Sequence, residues 1–374
     1  MAGKGMSNGA RHLRQVSPRA KVLLVGLGYA GVKVVRTAAR QFEHPDYAFL
    51  AVDQSPELQA QCELPVLVTA AGWEQQLPEL LDQRKMLLLV VGLGGKTGTR
   101  AAKTICGAVR AHRPELPVLI MASMPFAFEN GERRALAETS LRELRPFASA
   151  IIPLDNELLF AQMPPETNSM AAFERADEWL AEVAVSILRP FACANLVNVK
   201  FEHLDWLLKE RNAQCAIGIG WGEGENAIGD AIAQVMESPF LQRMASSAQA
   251  DRALAVVTFP EESTLDQVRG CLTTVRSLFA DQLSLEMGAC VDASVSEGVR
   301  IVVLIHFPPA APTAKGAAAR SRHGSDRQMM LSFTSSITQS RTGIFSASSP
   351  TRYQYHNLDI PTYIRQNIDL DTTT

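Results

Sequence analysis

Paired cysteines, clustered histidines and long apolar runs are all missing from this chain of 374 residues. Its six cysteines (Cys62, Cys106, Cys193, Cys215, Cys271 and Cys290) are scattered without a CxxC pair, so reduced cytosolic thiols are the expectation. Seven histidines are equally dispersed, and a zinc site has no support. No stretch approaches the ~20 apolar residues that a membrane span needs. A net charge of −3 gives no push toward nucleic acid or acidic membranes. The opening segment, residues 1–20, carries Arg11, Arg14 and Arg19 without an apolar core. It reads as a flexible basic arm and not as a signal peptide. What remains is an ordinary globular composition, 47% apolar and 20% charged, in a chain long enough for two domains plus tails.

From Lys21 to about Phe160, strand-like apolar runs alternate with helical patterns, which predicts an α/β fold with a parallel sheet flanked by helices. The strands are expected at Val22–Val25, Phe49–Val52, Met86–Val91, Val118–Met121 and Ala150–Ile152. Helices are expected at Val32–Phe42, Arg100–Arg113 and Gly131–Leu144. In "NSMAAFERADEWLAEVAVSILRP", Phe173, Ala176, Leu180, Val183 and Ile187 recur at helical spacing until Pro190, which predicts a long helix able to bridge two domains. A second unit then carries strands near Leu254–Phe259, Leu283–Val291 and Val299–Phe307, with a helix at Thr264–Phe279. The reading divides the chain into a nucleotide-binding domain (21–170), a central helix (171–190), a smaller α/β domain (191–308), a disordered linker (309–356) and a terminal peptide (357–374). The linker is rich in Ala, Ser, Thr and Pro and poor in large apolar residues.

Chemistry concentrates in two glycine loops. "KVLLVGLGYAGVKVV" places Gly26, Gly28 and Gly31 between a strand and a helix, where free backbone N–H groups and a helix dipole attract an anion. These glycines match G-x-G-x-x-G, and Asp53 ends the next strand where a ribose-binding acid would stand, so an NAD-dependent oxidoreductase is one reading. A second loop, "LLLVVGLGGKTGTRAA", packs Gly92, Gly94, Gly95, Gly98, Thr97 and Thr99 into eight residues. Two phosphate-cradling loops on neighbouring strand ends suit a nucleoside triphosphate better. The fragment Gly95-Lys96-Thr97 echoes a Walker A loop, but Val90 occupies the place of its leading glycine and the P-loop reading fails.

With "PFAFENGERRALAE", "IIPLDNELL", "AFERADEWL" and "AIGIGWGEGENAIGDAI" beside these loops, the chain closely resembles FtsZ, the bacterial relative of tubulin. The similarity runs from about Lys21 to Phe307 and resumes at "LDIPTYIRQN". It implies a tubulin/FtsZ-like two-domain fold with a Rossmann-like GTP-binding domain. It also implies GTP/GDP as ligand with Mg as a companion ion, head-to-tail filaments, alone or with a second FtsZ, and cytoplasmic work at the division site. By resemblance, Gly28, Tyr29, Ala30, Gly31, Val32 and Lys33 form the first phosphate loop, with Gly26 before it. Side chains at 29 and 30 crowd a backbone that FtsZ keeps bare, and Lys33 replaces an amide near the guanine end. Gly94, Gly95, Lys96, Thr97, Gly98 and Thr99 form the second loop, where Lys96 and Arg100 stand in for glycines. Glu129 and Arg133 fall at ribose and phosphate positions. Phe173 and Asp177 fall at guanine-stacking and guanine-bonding positions, an Asp carboxylate being able to accept from N1–H and N2–H₂ together.

The resemblance breaks in the catalytic loop. FtsZ carries N-x-D-F-x-D there, and this chain reads "NVKFEHLDWLL" from Asn198. The two acidic positions become Lys200 and His203, with Glu202 and Asp205 near but out of register. A lysine ammonium cannot take a proton from water near neutral pH; the His203 imidazole can in principle serve as a base, but it lacks a second carboxylate to position metal or water. Hydrolysis is therefore expected to be slow or absent. In the tail, Leu358, Asp359, Ile360, Pro361, Tyr363, Ile364 and Arg365 match the FtsZ C-terminal peptide. The resemblance implies division proteins of the FtsA or ZipA kind that tether filaments to membrane as partners, and no nucleic acid. A non-polymerising scaffold that kept the fold and the tail is the third reading.

Overall fold

The central strands are apolar from end to end because both of their faces are covered. In β1 (Val22–Leu27), Val22 and Leu24 point to one layer of helices and Leu23, Val25 and Leu27 to the other. β4 (Met86–Gly92) divides in the same way, with Met86, Leu88 and Val90 on one face and Leu87, Leu89 and Val91 on the other. The computed structural model describes residues 16–55, 62–126, 129, 131–161, 163, 164, 166–197, 199–245, 249–280, 282–309, 352, 353, 356 and 357.

Around these two strands the chain lays down β2 (Tyr47–Asp53), β3 (Val66–Val68), β5 (Val118–Met124) and β6 (Ala150–Asp155). The order is β3-β2-β1-β4-β5-β6, every neighbour parallel. The intervening helices are α1 (Gly28–Gln41), α2 (Leu77–Leu81), α3 (Lys96–His112), α4 (Gly131–Leu144) and α5 (Asn156–Phe160). The long helix, α6 (Ser169–Leu188), shares the face of α1, where Ala176, Leu180 and Val183 meet Val34, Val35 and Ala38. Residues of α2, α3 and α4 fill the opposite face.

Beyond α6 lie β7 (Ala194–Val197), α7 (Phe201–Leu207), β8 (Ala213–Gly222), α8 (Ala227–Glu237), α9 (Pro239–Ala245), β9 (Arg252–Phe259), α10 (Leu265–Ser277), β10 (Ser284–Val291) and β11 (Val299–Phe307). These strands continue the same sheet in the order β8-β11-β9-β10-β7 with mixed directions. A short parallel junction, Ala150 with Ala213 and Ile151 with Gln214, joins the two halves. Three strands of this sheet, β3, β7 and β8, have no counterpart among the predicted strands. In β8 the alternating Gly218, Gly220 and Gly222 break up the apolar run that would mark a strand. A Cβ at Gly220 would lie 1.9 Å from the Ala231 carbonyl oxygen and one at Gly222 1.7 Å from that of Ala227, so bare positions let α8 lie directly on the strand.

Of the basic arm expected over residues 1–20, the structure describes residues 16–20, and these are anchored to the core. Val16 and Ala20 are buried, and the Arg84 guanidinium donates to the carbonyls of Ser17 (2.9 Å) and Ala20. Among residues 332–374 the structure describes a two-stranded ladder, β12 (Arg352–Tyr353) with β13 (His356–Asn357). The tail residues Leu358 to Arg365, most of the linker and Asn198 lie outside the described residues.

Candidate functional site

The sheet order reverses direction at β1: the chain passes from β1 outward to β2 and β3, then returns to β4 on the other side of β1. In such sheets a crevice opens beyond the carboxyl ends of the two strands at the reversal. Both glycine loops lie there. Gly28 takes φ +69° and starts α1 at once, four residues earlier than predicted. A Cβ on Gly28 would lie 3.2 Å from the Gly98 nitrogen, and one on Gly92 would lie 2.8 Å from the Ala30 methyl, so the two loops touch. Gly26 and Gly31 serve a different end. A Cβ at Gly26 would sit 2.4 Å from the Gly31 carbonyl oxygen, and one at Gly31 would sit 2.2 Å from that of Val90, so these glycines let α1 press on β1 and β4.

Neither α1 nor α3 has a side-chain cap at its N-terminus, and neither has an acidic residue in its first turn. Two bare sets of N–H donors and two positive dipole ends therefore share one crevice. Lys96 and Arg100 add exposed cationic side chains that have no ion-pair partner among the described residues. The Thr99 hydroxyl is turned back onto the Gly95 carbonyl (3.2 Å). Beside the second loop a cleft of about 260 Å³ is lined by Gln54, Thr69–Ala71, Trp73, Thr97 and Arg100. The Thr69–Gly72 turn was missed in the sequence. Its signal was the run of small residues "TAAG", ending in Gly72 at φ +81°.

The remaining sites gather at the rim. Arg133 packs over the second loop, its Cγ 2.7 Å from where a Gly94 Cβ would stand. It pairs with Glu129 at 2.7 Å, and the Phe126 N–H donates to the other Glu129 oxygen at 3.0 Å. Phe173 sits edge-on to the buried Phe126, ring centres 5.0 Å apart, with one side open to solvent. Asp177, one turn further along α6, is not a free carboxylate. The Lys33 ammonium lies 2.7 Å from its Oδ2 and 5.6 Å from the centre of the exposed Tyr29 ring. The hydrogen bond to Asp177 raises the Lys33 pKa against the opposing effect of burial, so the ammonium stays charged. Val32 faces the core beside β2 and β3 and is not at the rim. Asp53 accepts the Ser55 N–H at 2.9 Å.

Lys200, Glu202, His203 and Asp205 lie at the other end of the sheet. Phe201, Glu202 and Asp205 line a cleft with Arg84, Lys85, Arg113 and Pro117, the segments that lead into β4 and β5. A seven-residue strand spans about 20 Å, so these side chains cannot reach the glycine loops of their own chain. The Lys200 N–H donates to His203 Nδ1 at 3.3 Å, which closes the first turn of α7. An imidazole nitrogen that accepts carries no proton, so in the neutral ring the proton sits on Nε2 and that atom donates. The general-base role weighed for His203 is thus opposed by its own backbone contact.

Asp155, at the carboxyl end of β6, gathers Arg134 (2.7 Å) from α4 and Arg243 (2.5 Å) from α9, with only 5% of its side chain exposed. Burial works to raise its pKa, but the bonds from Arg134 and Arg243 outweigh it and hold the carboxyl below its ordinary value. Among the described residues no group of His, Cys, Asp and Glu could hold a metal ion, and no helix is long and apolar enough to cross a membrane.

Residues 69–164 match the family model described as Tubulin/FtsZ family, GTPase domain. Cell division protein FtsZ 1 of Archaeoglobus fulgidus is 27% identical over 232 residues, 62% of this chain and 61% of that protein, so the chain spans about three-fifths of this relative's length. An empty FtsZ dimer from M. jannaschii superposes with a TM-score of 0.67 at 23% identity, over 79% of this chain and 90% of that one. A GTPγS-bound protofilament of CetZ2 from Haloferax volcanii gives 0.62 at 18%, over 77% and 93%. At these identities the structural likeness speaks for the fold.

Proposed function

We propose that this chain is a divergent member of the tubulin/FtsZ family that binds GTP across its two glycine loops and assembles head to tail into filaments that serve bacterial cell division. One observation carries the reading: the uncapped starts of α1 and α3 meet at the reversal of the sheet, with Gly28 against Gly98 and cationic side chains around them. Backbone donors hold the phosphates, while Lys96, Arg100 and Arg133 offset their charge. Glu129 takes the ribose hydroxyls, and Phe173 and Asp177 take the base. A magnesium ion accompanying the triphosphate is held chiefly through phosphate oxygens.

The distance between the two ends of the sheet supports assembly. Residues 200–205 can approach a triphosphate only when a second copy stacks its far end onto the first copy's glycine loops. At that junction the chain brings an ammonium from Lys200 and a donating Nε2 from His203, neither of which removes a proton from water. Hydrolysis is weak, and Lys200 favours the GTP-filled junction. The tail, from Leu358 to Arg365, tethers the filament at the division site through a membrane-bound partner.

Purified full-length protein with GTP, followed for phosphate release and for pelleting together, tests the reading. Pelleting with slow release supports it. Brisk turnover, comparable to that of an intact FtsZ run alongside, would overturn the slow-hydrolysis claim. Pelleting that ignores GTP would overturn the filament claim.

A further inference from the structure

We propose that Cys193 and Cys290 form a redox site, at which a small disulfide oxidises the two thiols to a reversible bridge that pins β7 to β10. The sheet ends at β7, and all four residues of that strand are exposed. Lys200 follows Val197 by three positions, so a bridge here fixes the segment that leads into residues 200–205.

The placement follows from the strand register. The ladder between β7 and β10 pairs Asn195 with Cys290 and Ala194 with Val291. One step further it sets Cys193 beside Asp292, and the Cys193 thiol donates to Asp292 Oδ2 at 3.4 Å. Cys290 stands two residues before Asp292 and so projects from the same face of β10. Cys193 also packs on the buried apolar cluster that includes Cys290. Each thiol is the leading influence on the ionisation of the other, which requires the two side chains to meet. The contact with Cys193 lowers the Cys290 pKa against the opposing effect of burial, and the Thr258 hydroxyl, 3.5 Å away, adds to it. Cys290 is fully buried, whereas Cys193 keeps part of its surface in solvent. Burial pushes Cys106, Cys215 and Cys271 up to about 12, which keeps those thiols protonated.

Cys193 meets the reagent first, because it is the member of the pair that solvent reaches. Its thiolate attacks one sulfur of a disulfide RSSR. The S–S bond of the reagent breaks, a mixed disulfide forms and one RS⁻ leaves. The Cys290 thiolate then attacks Cys193 Sγ, closes the Cys193–Cys290 bond and expels the second RS⁻. The two protons given up by the cysteines pass to the leaving groups, so two protein thiols are oxidised and RSSR is reduced to two RSH. The contact with Cys290, burial and the nearby Asp292 charge all raise the Cys193 pKa, so the first step is slow at neutral pH and quickens as pH rises. In a reducing compartment the thiols are the resting state, and the bridge forms when the disulfide pool grows. The competing account, two small side chains that only fill space, makes no selective bridge.

The test treats the folded full chain with oxidised glutathione, blocks the remaining thiols with iodoacetamide and digests with trypsin. Cys193 then lies in the fragment ending at Lys200 and Cys290 in the fragment ending at Arg300, each with a single cysteine. Mass spectrometry should find these two fragments linked and dithiothreitol should separate them. Because contact makes the second step intramolecular, this link should form at least about tenfold faster than any other among the six cysteines. Cys290→Ala should leave glutathione on Cys193, and Cys193→Ser should leave Cys290 unmodified. Hydrogen exchange of the amides at 194–197 should slow by about tenfold or more in the bridged chain, since closing so long a loop stabilises by more than that factor. No link between the two fragments, links spread over several pairs, or a link that forms only in urea overturns the site. A link that leaves exchange at 194–197 unchanged overturns the pinning of β7. Nucleotide is absent from every arm, so these outcomes are independent of the filament reading.

Discussion

Placing a methyl group on Gly31 tests how the first glycine loop is held. Its Cβ would stand 2.2 Å from the Val90 carbonyl oxygen, whereas real Cβ contacts essentially never fall below 3.0 Å. Relief needs a displacement of about 0.8 Å or more, and neither contact partner is a flexible side-chain end: Val90 is held in β4, and Gly31 is held in α1 by buried Val32, Val34 and Val35. Retreat of α1 from β4 also parts Gly28 from Gly98. Overpacking of this kind costs about 1–3 kcal/mol, against about 0.5–1 kcal/mol that alanine returns by restricting the unfolded chain. The net expectation for Gly31→Ala is a loss of about 1–2 kcal/mol and GTP affinity weakened by about tenfold or more. Gly107→Ala is the control, because it sits inside α3 with nothing within 4 Å and should gain about 0.5–1 kcal/mol with no change in binding. Urea denaturation and nucleotide titration of both variants read these quantities. If Gly31→Ala matches the parent in stability and affinity, the close-contact reasoning is wrong.

Three further expectations concern other parts of the molecule. Lys200→Asp combined with His203→Asp should raise phosphate release by about a hundredfold or more, the low end of a general base's contribution, and an unchanged rate would show that these positions do not limit hydrolysis. Asp155→Asn should cost about 3 kcal/mol, since it leaves Arg134 and Arg243 without their shared anion, and denaturation midpoints equal to the parent's would count against that lock. Because the folded Asp155 pKa lies below its ordinary value of 3.8, its stabilising contribution is present above that value and lost as pH falls through the folded one. Stability curves measured across that acid range should show a step in the parent that the Asp155→Asn variant lacks.

The parallel half of the fold was legible because β1, β4 and β5 are buried on both faces and leave uninterrupted apolar runs in the sequence. Strands that lack such runs were not. β3 has three residues, β7 is exposed along its whole length, and β8 alternates glycines whose purpose shows only once α8 is seen lying on them. The start of α1 was misplaced because glycines signal a turn, whereas Gly28 turns and enters the helix within one residue. The positions of both glycine loops were readable, since each follows its strand directly. The partnership of Lys33 with Asp177 was not, because it joins residues on separate helices that only folding brings together. His203 shows the same limit: its identity suggested a base, but the Lys200 N–H occupies the nitrogen that would act as one.

The most direct test of the central claim is sedimentation of the purified full-length protein with GTP, with GDP and with no nucleotide. A triphosphate gripped by both glycine turns and covered by a second copy predicts a large pellet with GTP alone. Equal sedimentation in all three conditions would contradict it.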